Sequence, residues 1–180
     1  VFDYLRLPRS MVEVVQAAQL APWVVMGTIG LIYVVLGMFI NLGSPMAAEL
    51  CGNAGFDYLI IDMEHGLTTD ASLVGMLHAT AATPATAVVR VEEGTRLRVG
   101  RALDFGAPSL MVPQVKSAEE AARVASFVRY PPTGVRGIAL PTRGAGFGAI
   151  THADVATAHE KITLMIQIEG RSAVDQAAEI

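Results

Sequence analysis

The chain has 180 residues, a formal net charge of -4 and an apolar content of 52%, enough to bury the core of one domain. Its 13 Lys and Arg residues are scattered rather than grouped into a basic stripe, which excludes nucleic acid as an expected partner. The one cysteine, Cys51, can form no internal disulfide and lacks the partners of a zinc site, so we expect a reducing, cytoplasmic location.

The first 33 residues are predicted to be an N-terminal extension of unknown role, and residues 34–180 the main domain. Pro8 and the apolar spacing after it predict a short amphipathic helix. Residues 17–42 carry no charge, a length that could span a membrane. Because Pro22 and several glycines interrupt this stretch and no cationic cluster follows it, we expect no membrane attachment.

Strand and helix signals then alternate along the chain. Residues 34–37 are the preferred first strand, rather than their echo at 24–27, because Ser44 and Pro45 start a helix soon after them. Four apolar residues at 58–61 predict a strand buried on both faces, as in a parallel sheet covered by helices. Further strands are predicted at 86–91, 109–112, 135–140 and 162–168, and further helices at 46–52, 70–82, 95–104, 117–127, 153–159 and from 172 onward.

Six strand-and-helix units in series predict an α/β fold with parallel strands, either a barrel or a doubly wound sheet. Polar residues recur at the ends of several predicted strands. Active sites assembled from many strand ends are typical of the (β/α)8 barrel, so the pattern favours the barrel.

Three ionisable residues follow the second predicted strand directly: Asp62, Glu64 and His65. An aspartate three residues before a histidine can hold the imidazole in one tautomer and raise its basicity. The spacing therefore predicts a catalytic pair of Asp62 and His65. A polar loop with a helix N-cap is the alternative.

Two other strand ends carry residues suited to binding. Arg90 ends the third strand, where its planar fork suits a carboxylate, unless it is simply an exposed strand-end arginine. Gln167 and Glu169 project to the same side at the end of the last predicted strand. A carboxylate at the end of a buried strand needs a partner, and a hard divalent cation is the natural one.

The segment after the fourth helix is rich in proline and glycine, which predicts a rigid turn. Arg136 in this segment could bind an anion or an acidic neighbour, and the second arrangement is the commoner. The glycines at 144, 146 and 148 do not form a nucleotide fingerprint, because no helix opens on them in the required register.

Several motifs occur together in one order: Leu42-Gly43-Ser44-Pro45, Ile61-Asp62-Met63-Glu64-His65-Gly66, Leu103-Asp104-x-Gly106-Ala107, Val112-Pro113, Arg129-Tyr130-Pro131-Pro132 with Gly134-Val135-Arg136-Gly137, and Ile166-Gln167-Ile168-Glu169. In this order and spacing they resemble the HpcH/HpaI aldolase family, the metal-dependent class II pyruvate aldolases. The resemblance covers residues 35–180. The first 33 residues match nothing in that family.

The resemblance implies a (β/α)8 barrel that reversibly cleaves a 4-hydroxy-2-keto acid to pyruvate, through its enolate, and an aldehyde. It implies that His65 is the general base, that Asp62 orients it, and that Arg90 holds the pyruvate carboxylate and offsets enolate charge. It also implies that Glu169 is a ligand of Mg²⁺ or Mn²⁺, or alternatively Co²⁺, and that Gln167 lies beside the bound keto acid. The cation would act as a Lewis acid.

The resemblance also implies a second carboxylate ligand after a seventh strand, which this sequence does not contain. Since an eight-stranded barrel usually takes about 250 residues, we expect an incomplete barrel, a fragment or truncated form of a longer enzyme. Its open sheet predicts a homo-oligomer. Two alternatives stay open: a lyase acting on a CoA ester, like the citrate lyase β-subunit group, and a non-catalytic, membrane-attached remnant that binds a partner through unpaired sheet edges.

Overall fold

The computed structural model describes residues 37–180, and their central feature is a five-stranded parallel sheet. The strands are adjacent in chain order: β1 Gly37–Ile40, β2 Tyr58–Asp62, β3 Thr86–Arg90, β4 Ser109–Val112 and β5 Thr163–Ile166. The amphipathic helix and most of the membrane span considered above fall on residues 1–36, outside the described residues. Within residues 37–180, no helix combines the length and the apolar character that crossing a bilayer requires.

Helices separate the strands, and polar side chains define where they begin. The helices are α1 Pro45–Asn53, α2 Asp70–Ala81, α3 Arg96–Asp104, α4 Ala118–Phe127, α5 His152–Thr157 and α6 Arg171–Val174, with 3-10 segments at Arg143–Gly148 and Ala158–Lys161. The hydroxyl of Ser44 accepts the backbone N–H of Ala47 at the start of α1, and Ser117 does the same for Glu120 in α4. These caps pair N–H groups that a helix leaves open at its first turn.

The main core cluster lies on one face of the sheet, against the helices. Leu59, Ile61, Val89, Leu110 and Val112 are all fully buried. Ile60 and Val88, which point to the opposite face, are also nearly inaccessible, at 5% and 2% exposed, so these strands are apolar throughout instead of alternating with polar residues. This explains why the apolar runs at 58–61 and 109–112 predicted the second and fourth strands correctly.

The predicted strand at 135–140 is wrong. Because β4 pairs directly with β5 along its whole length, the sheet has no place for a strand between them. The backbone N–H groups of Val135 and Arg136 donate instead to the carbonyls of Ser126 and Arg129, each at 2.9 Å. The segment therefore folds back on the end of α4. The described residues contain five strands, and the first of them, Gly37–Ile40, begins at the last residue of the strand predicted at 34–37.

Parallel strands in unbroken chain order, with a helix between each pair, are the arrangement of a (β/α)8 barrel. The described strands make up an incomplete barrel of this kind. All their carboxyl ends lie along one edge of the sheet, the edge at which barrels of this type carry their chemistry.

Candidate active site

The carboxyl edge of the sheet brings together polar residues that are far apart in the sequence. They come from strand ends or from the loops that follow them: Asp62, Glu64 and His65 with β2, Arg90 with β3, Gln114 with β4, and Gln167 and Glu169 with β5. All five residues predicted as site residues are thus at one edge. Glu64 and Gln114 join them.

Asp62 and Arg90 form the buried centre of this group. The two residues are register partners across β2 and β3, which places their side chains next to each other. Arg90 Nε donates to Oδ1 of Asp62 at 3.0 Å and Nη2 donates to Oδ2 at 2.7 Å. Asp62 Oδ1 also accepts the backbone N–H groups of Glu64 and His65 at 3.0 and 3.2 Å. One carboxylate therefore holds both the guanidinium and the loop after β2.

The predicted hydrogen bond between Asp62 and the imidazole of His65 is not present in the described structure. Asp62 reaches His65 only through its backbone N–H, because Arg90 on the neighbouring strand engages both carboxylate oxygens. The imidazole is 68% exposed and its Nε2 lies 3.6 Å from Oε1 of Glu64. Glu64 is therefore the acidic neighbour of the ring.

The environment of Asp62 keeps it ionised. Burial would raise the pKa of Asp62, but hydrogen bonds from Arg90, the His65 N–H, the charge of Arg90 and the Glu64 N–H together hold that pKa below its ordinary value of 3.8. An anion held in this way does not carry protons near neutral pH. Its contribution is to position Arg90 and the loop.

Glu64 connects the group formed by β2 and β3 to the rest of the site. Its side chain is only 8% exposed, and Oε2 lies 3.2 Å from Nη1 of Arg90. Oε1 accepts a hydrogen bond from Nε2 of Gln114 at 3.2 Å. The carboxylate thus contacts a cation, an amide and the imidazole of His65.

Gln114 links two carboxylates that belong to different loops. Its side chain donates to Glu64, and its backbone N–H donates to Oε2 of Glu169 at 2.9 Å. The φ angle of Gln114 is 56°, in the left-handed region that residues other than glycine rarely occupy. The sequence reasoning missed this residue, since no local signal announces a positive φ at a glutamine. Its place just after a buried strand was the only indication.

Gln167 and Glu169 lie side by side, with Nε2 of Gln167 3.4 Å from Oε1 of Glu169. Oε1 of Gln167 is buried and has no hydrogen-bond partner among the described residues. A buried acceptor of this kind is normally paired, and oxygen donors of these two types suit a hard divalent cation. In the part of the chain that the structure describes, no three His, Cys, Asp or Glu residues form a complete metal cluster. The two residues thus fit part of a cation site.

From the lowered pKa of Asp62 we predict how the free energy of unfolding changes with pH. A carboxylate whose pKa is lower in the folded state binds fewer protons there than in the unfolded state, so its contribution to stability is present above pH 3.8 and is lost as the pH falls through the folded pKa. We expect Asp62→Asn to reduce the free energy of unfolding most at pH 7, and the difference from the wild type to shrink at pH values below about 4. Urea unfolding of both proteins across this range measures it, and a difference that stays constant with pH would contradict the assignment.

The chain is similar to a set of lyases. The sequence profile of the HpcH/HpaI aldolase/citrate lyase family matches residues 35–180. The hydroxypyruvate/pyruvate aldolase of Agrobacterium fabrum is 40% identical over 147 residues, covering 81% of this chain and 54% of that protein. The 4-hydroxy-2-oxovalerate aldolase of Novosphingobium aromaticivorans is 40% identical over 148 residues, covering 81% and 55%.

Solved structures agree with the sequence matches. The crystal structure of an HpcH/HpaI aldolase/citrate lyase family protein from Burkholderia cenocepacia J2315 superposes with a TM-score of 0.76 at 37% identity, covering 80% of this chain and 58% of that one. The chain spans about half the length of the curated relatives that it matches.

Proposed function

This chain belongs to the HpcH/HpaI aldolase/citrate lyase family, and from that premise we propose that its protein is an aldolase that reversibly cleaves a 4-hydroxy-2-keto acid to pyruvate and an aldehyde. Relatives at 40% identity carry the names of pyruvate and 4-hydroxy-2-oxovalerate aldolases. The observation that carries the proposal is that His65, Arg90 and Glu169 come from three separate strand ends and meet at one edge, joined through Glu64 and Gln114.

We assign Arg90 to the carboxylate of the keto acid. Asp62 accepts hydrogen bonds from Nε and Nη2 on one edge of its guanidinium, and the ring of Phe39 lies 5.0 Å from the guanidinium carbon. A guanidinium held in this way loses little freedom when a ligand binds, and N–H groups that Asp62 does not use remain for a carboxylate. Asp62 is therefore a positioning residue for Arg90.

We assign His65 as the general base. Its ring is the most exposed of the ionisable groups that contact one another around Glu64, so it can approach a bound keto acid and exchange a proton with it. The backbone of His65 is held by Asp62 and its ring lies beside Glu64. Positioning a base within reach of the transferred proton is the first requirement of general base catalysis.

Glu169 and Oε1 of Gln167 are the oxygen donors that would hold a divalent cation. A cation bound there would supply Lewis-acid polarisation of the keto acid. Mg²⁺ is commonly bound by one or two carboxylates, with water and substrate oxygens as the other ligands. We place a second carboxylate ligand in the part of the family's length that this chain does not span.

We also propose that residues 34–180 are the aldolase-type domain and that it forms a homo-oligomer. Residues 37–180 make one compact unit. Strands β1 and β5 each have one unpaired edge among the described strands, and Met38 and Phe39 on β1 are 39% and 46% exposed. Apolar side chains at an open sheet edge favour cover by further strands or by another subunit.

The complete protein is expected to release pyruvate from a 4-hydroxy-2-keto acid only when a divalent metal is present. Chelation should abolish turnover, because it removes the cation that Glu169 and Gln167 would hold and with it the Lewis acid that stabilises the charge developing on the keto acid. The measurement is pyruvate release before chelation, after chelation, and after Mg²⁺, Mn²⁺ or Co²⁺ is added back. Turnover that persists without metal would contradict the proposal, and cleavage of a CoA ester instead of the keto acid would favour the citrate lyase type of reaction.

A further inference from the structure

A cavity of about 470 Å³ lies at the edge of the sheet opposite the candidate active site. Its wall includes Pro108 and Ile162, which directly precede β4 and β5, whereas the active-site residues follow the carboxyl ends of the strands. Other parts of the wall come from α3, the glycine-rich segment 143–150 and the 3-10 helix Ala158–Lys161. The proposed aldol reaction makes no use of this cavity.

Arg136 lines the cavity as a buried cation whose pairing is incomplete. Its side chain is 4% exposed and its guanidinium carbon lies 4.6 Å from the ring centre of Tyr130. Nη2 is 3.6 Å from Oδ1 of Asp104, which is long for a hydrogen bond. Nε is buried without a hydrogen-bond partner among the described residues. Buried donors are normally paired, so the Nε of Arg136 lacks an acceptor.

Arg143 adds a second arginine with an unpaired buried donor to the same wall. Its aliphatic stem packs over Gly106, where a Cβ atom would come within 2.8 Å of Cδ of Arg143. Gly106 has a φ angle of 94°, so a glycine there serves both the turn and this contact. Nη1 of Arg143 is also buried without a hydrogen-bond partner among the described residues. Two guanidinium groups from different parts of the fold therefore each leave a buried donor unused at one cavity.

The other charges on the wall do not balance these arginines. Lys161 adds a third cation. Asp154 in the lining and Asp104 beside Arg136 are the carboxylates, so the cations still outnumber them by one. Oδ2 of Asp154 already accepts the backbone N–H and the hydroxyl of Thr151 at 2.9 and 2.6 Å. The excess of positive charge and the unused donors both favour an anionic ligand.

We propose that this cavity binds a small organic phosphate. The phosphoryl oxygens would accept from Arg136 and Arg143, whose planar forks match a tetrahedral oxyanion. The organic part would lie against apolar wall residues such as Leu103, Ile150 and Ile162. A cavity of about 470 Å³ has room for more than inorganic phosphate, and a phosphoryl group has more oxygen acceptors than a carboxylate to pair with the unused donors of Arg136 and Arg143.

Calorimetric titration of the purified protein with phenyl phosphate tests the proposal. We expect saturable binding that is tighter than the binding of inorganic phosphate or benzoate. Arg143→Gln is expected to weaken it about tenfold or more, the usual effect of losing a charge-assisted hydrogen bond. The matched control Arg123→Gln removes the same charge from a 60% exposed side chain on α4 and should bind like the wild type.

Circular dichroism checks that each variant is folded. If Arg143→Gln does not fold, Lys161→Gln replaces it, since Lys161 is exposed and its loss should still weaken binding several-fold. Absence of saturable binding, tighter binding of benzoate than of phenyl phosphate, or equal affinity in the cavity variant and the wild type would overturn the proposal. Displacement of phenyl phosphate by pyruvate, with the same affinity in Arg143→Gln as in the wild type, would place the anion at the carboxyl edge of the sheet and overturn it as well, without affecting the proposed aldolase activity.

Discussion

Arg90→Met is expected to destabilise the protein by about 3–5 kcal/mol, because it leaves the carboxylate of Asp62 buried without its counterion. The side chain of Asp62 is 0% exposed, and both of its oxygens accept hydrogen bonds from Arg90, at 3.0 and 2.7 Å. Methionine replaces the apolar stem of the side chain but supplies no donor. Urea unfolding at pH 7, followed by circular dichroism, measures the loss.

The matched control for this prediction is the double variant Asp62→Leu with Arg90→Met. Replacing both partners of a buried ion pair by apolar residues removes the unpaired charge, so we expect the double variant to be more stable than Arg90→Met alone. A loss below about 1 kcal/mol in the single variant would be the size found for an exposed ion pair. That result would show that Asp62 does not depend on Arg90 for its burial.

His65→Ala in the complete protein is expected to lower kcat for cleavage of a 4-hydroxy-2-keto acid by about 10²- to 10⁴-fold, the usual contribution of a positioned general base. The substitution should leave the fold intact, because the imidazole is 68% exposed and Asp62 binds the backbone of the residue and not its ring. The measurement is the steady-state rate of pyruvate release, with the melting temperature recorded for the same samples.

His78 provides the matched control for His65. It is an exposed histidine on α2, away from the strand ends that carry the candidate site, so His78→Ala should retain the wild-type rate. If His65→Ala keeps more than about a tenth of the rate, its contribution lies below the usual range for a general base. Equal losses in the two variants would also contradict the assignment, because the effect would not be specific to the site.

The alternation of strands and helices could be predicted because its signals are local. The apolar runs at 58–61 and 109–112 indicated buried parallel strands, and Ser44 and Ser117 indicated helix starts. Each of these signals depends on neighbours within a few positions along the chain. The strand predicted at 135–140 failed because its backbone donors bind the end of α4, while β5 occupies the position beside β4.

The candidate site could be predicted only in part, for a related reason. The sequence indicated that Asp62, His65, Arg90, Gln167 and Glu169 follow strand ends, and in a parallel sheet such residues share one edge. It did not indicate which of them would touch. Glu64 received no role, and Gln114 was passed over, although these two residues connect the strand ends in the folded chain.

The sequence by itself determined the order of the elements, the buried strands and the family motifs, because these are properties of short stretches of chain. Only the tertiary structure decided the partners. Asp62 pairs with Arg90, 28 positions away, because the register of β2 and β3 sets their strand ends side by side. Gln114 reaches Glu64, 50 positions away, because the loops after β2 and β4 meet at one edge. Contacts at such separations depend on how the strands align, and short-range sequence patterns do not specify that alignment.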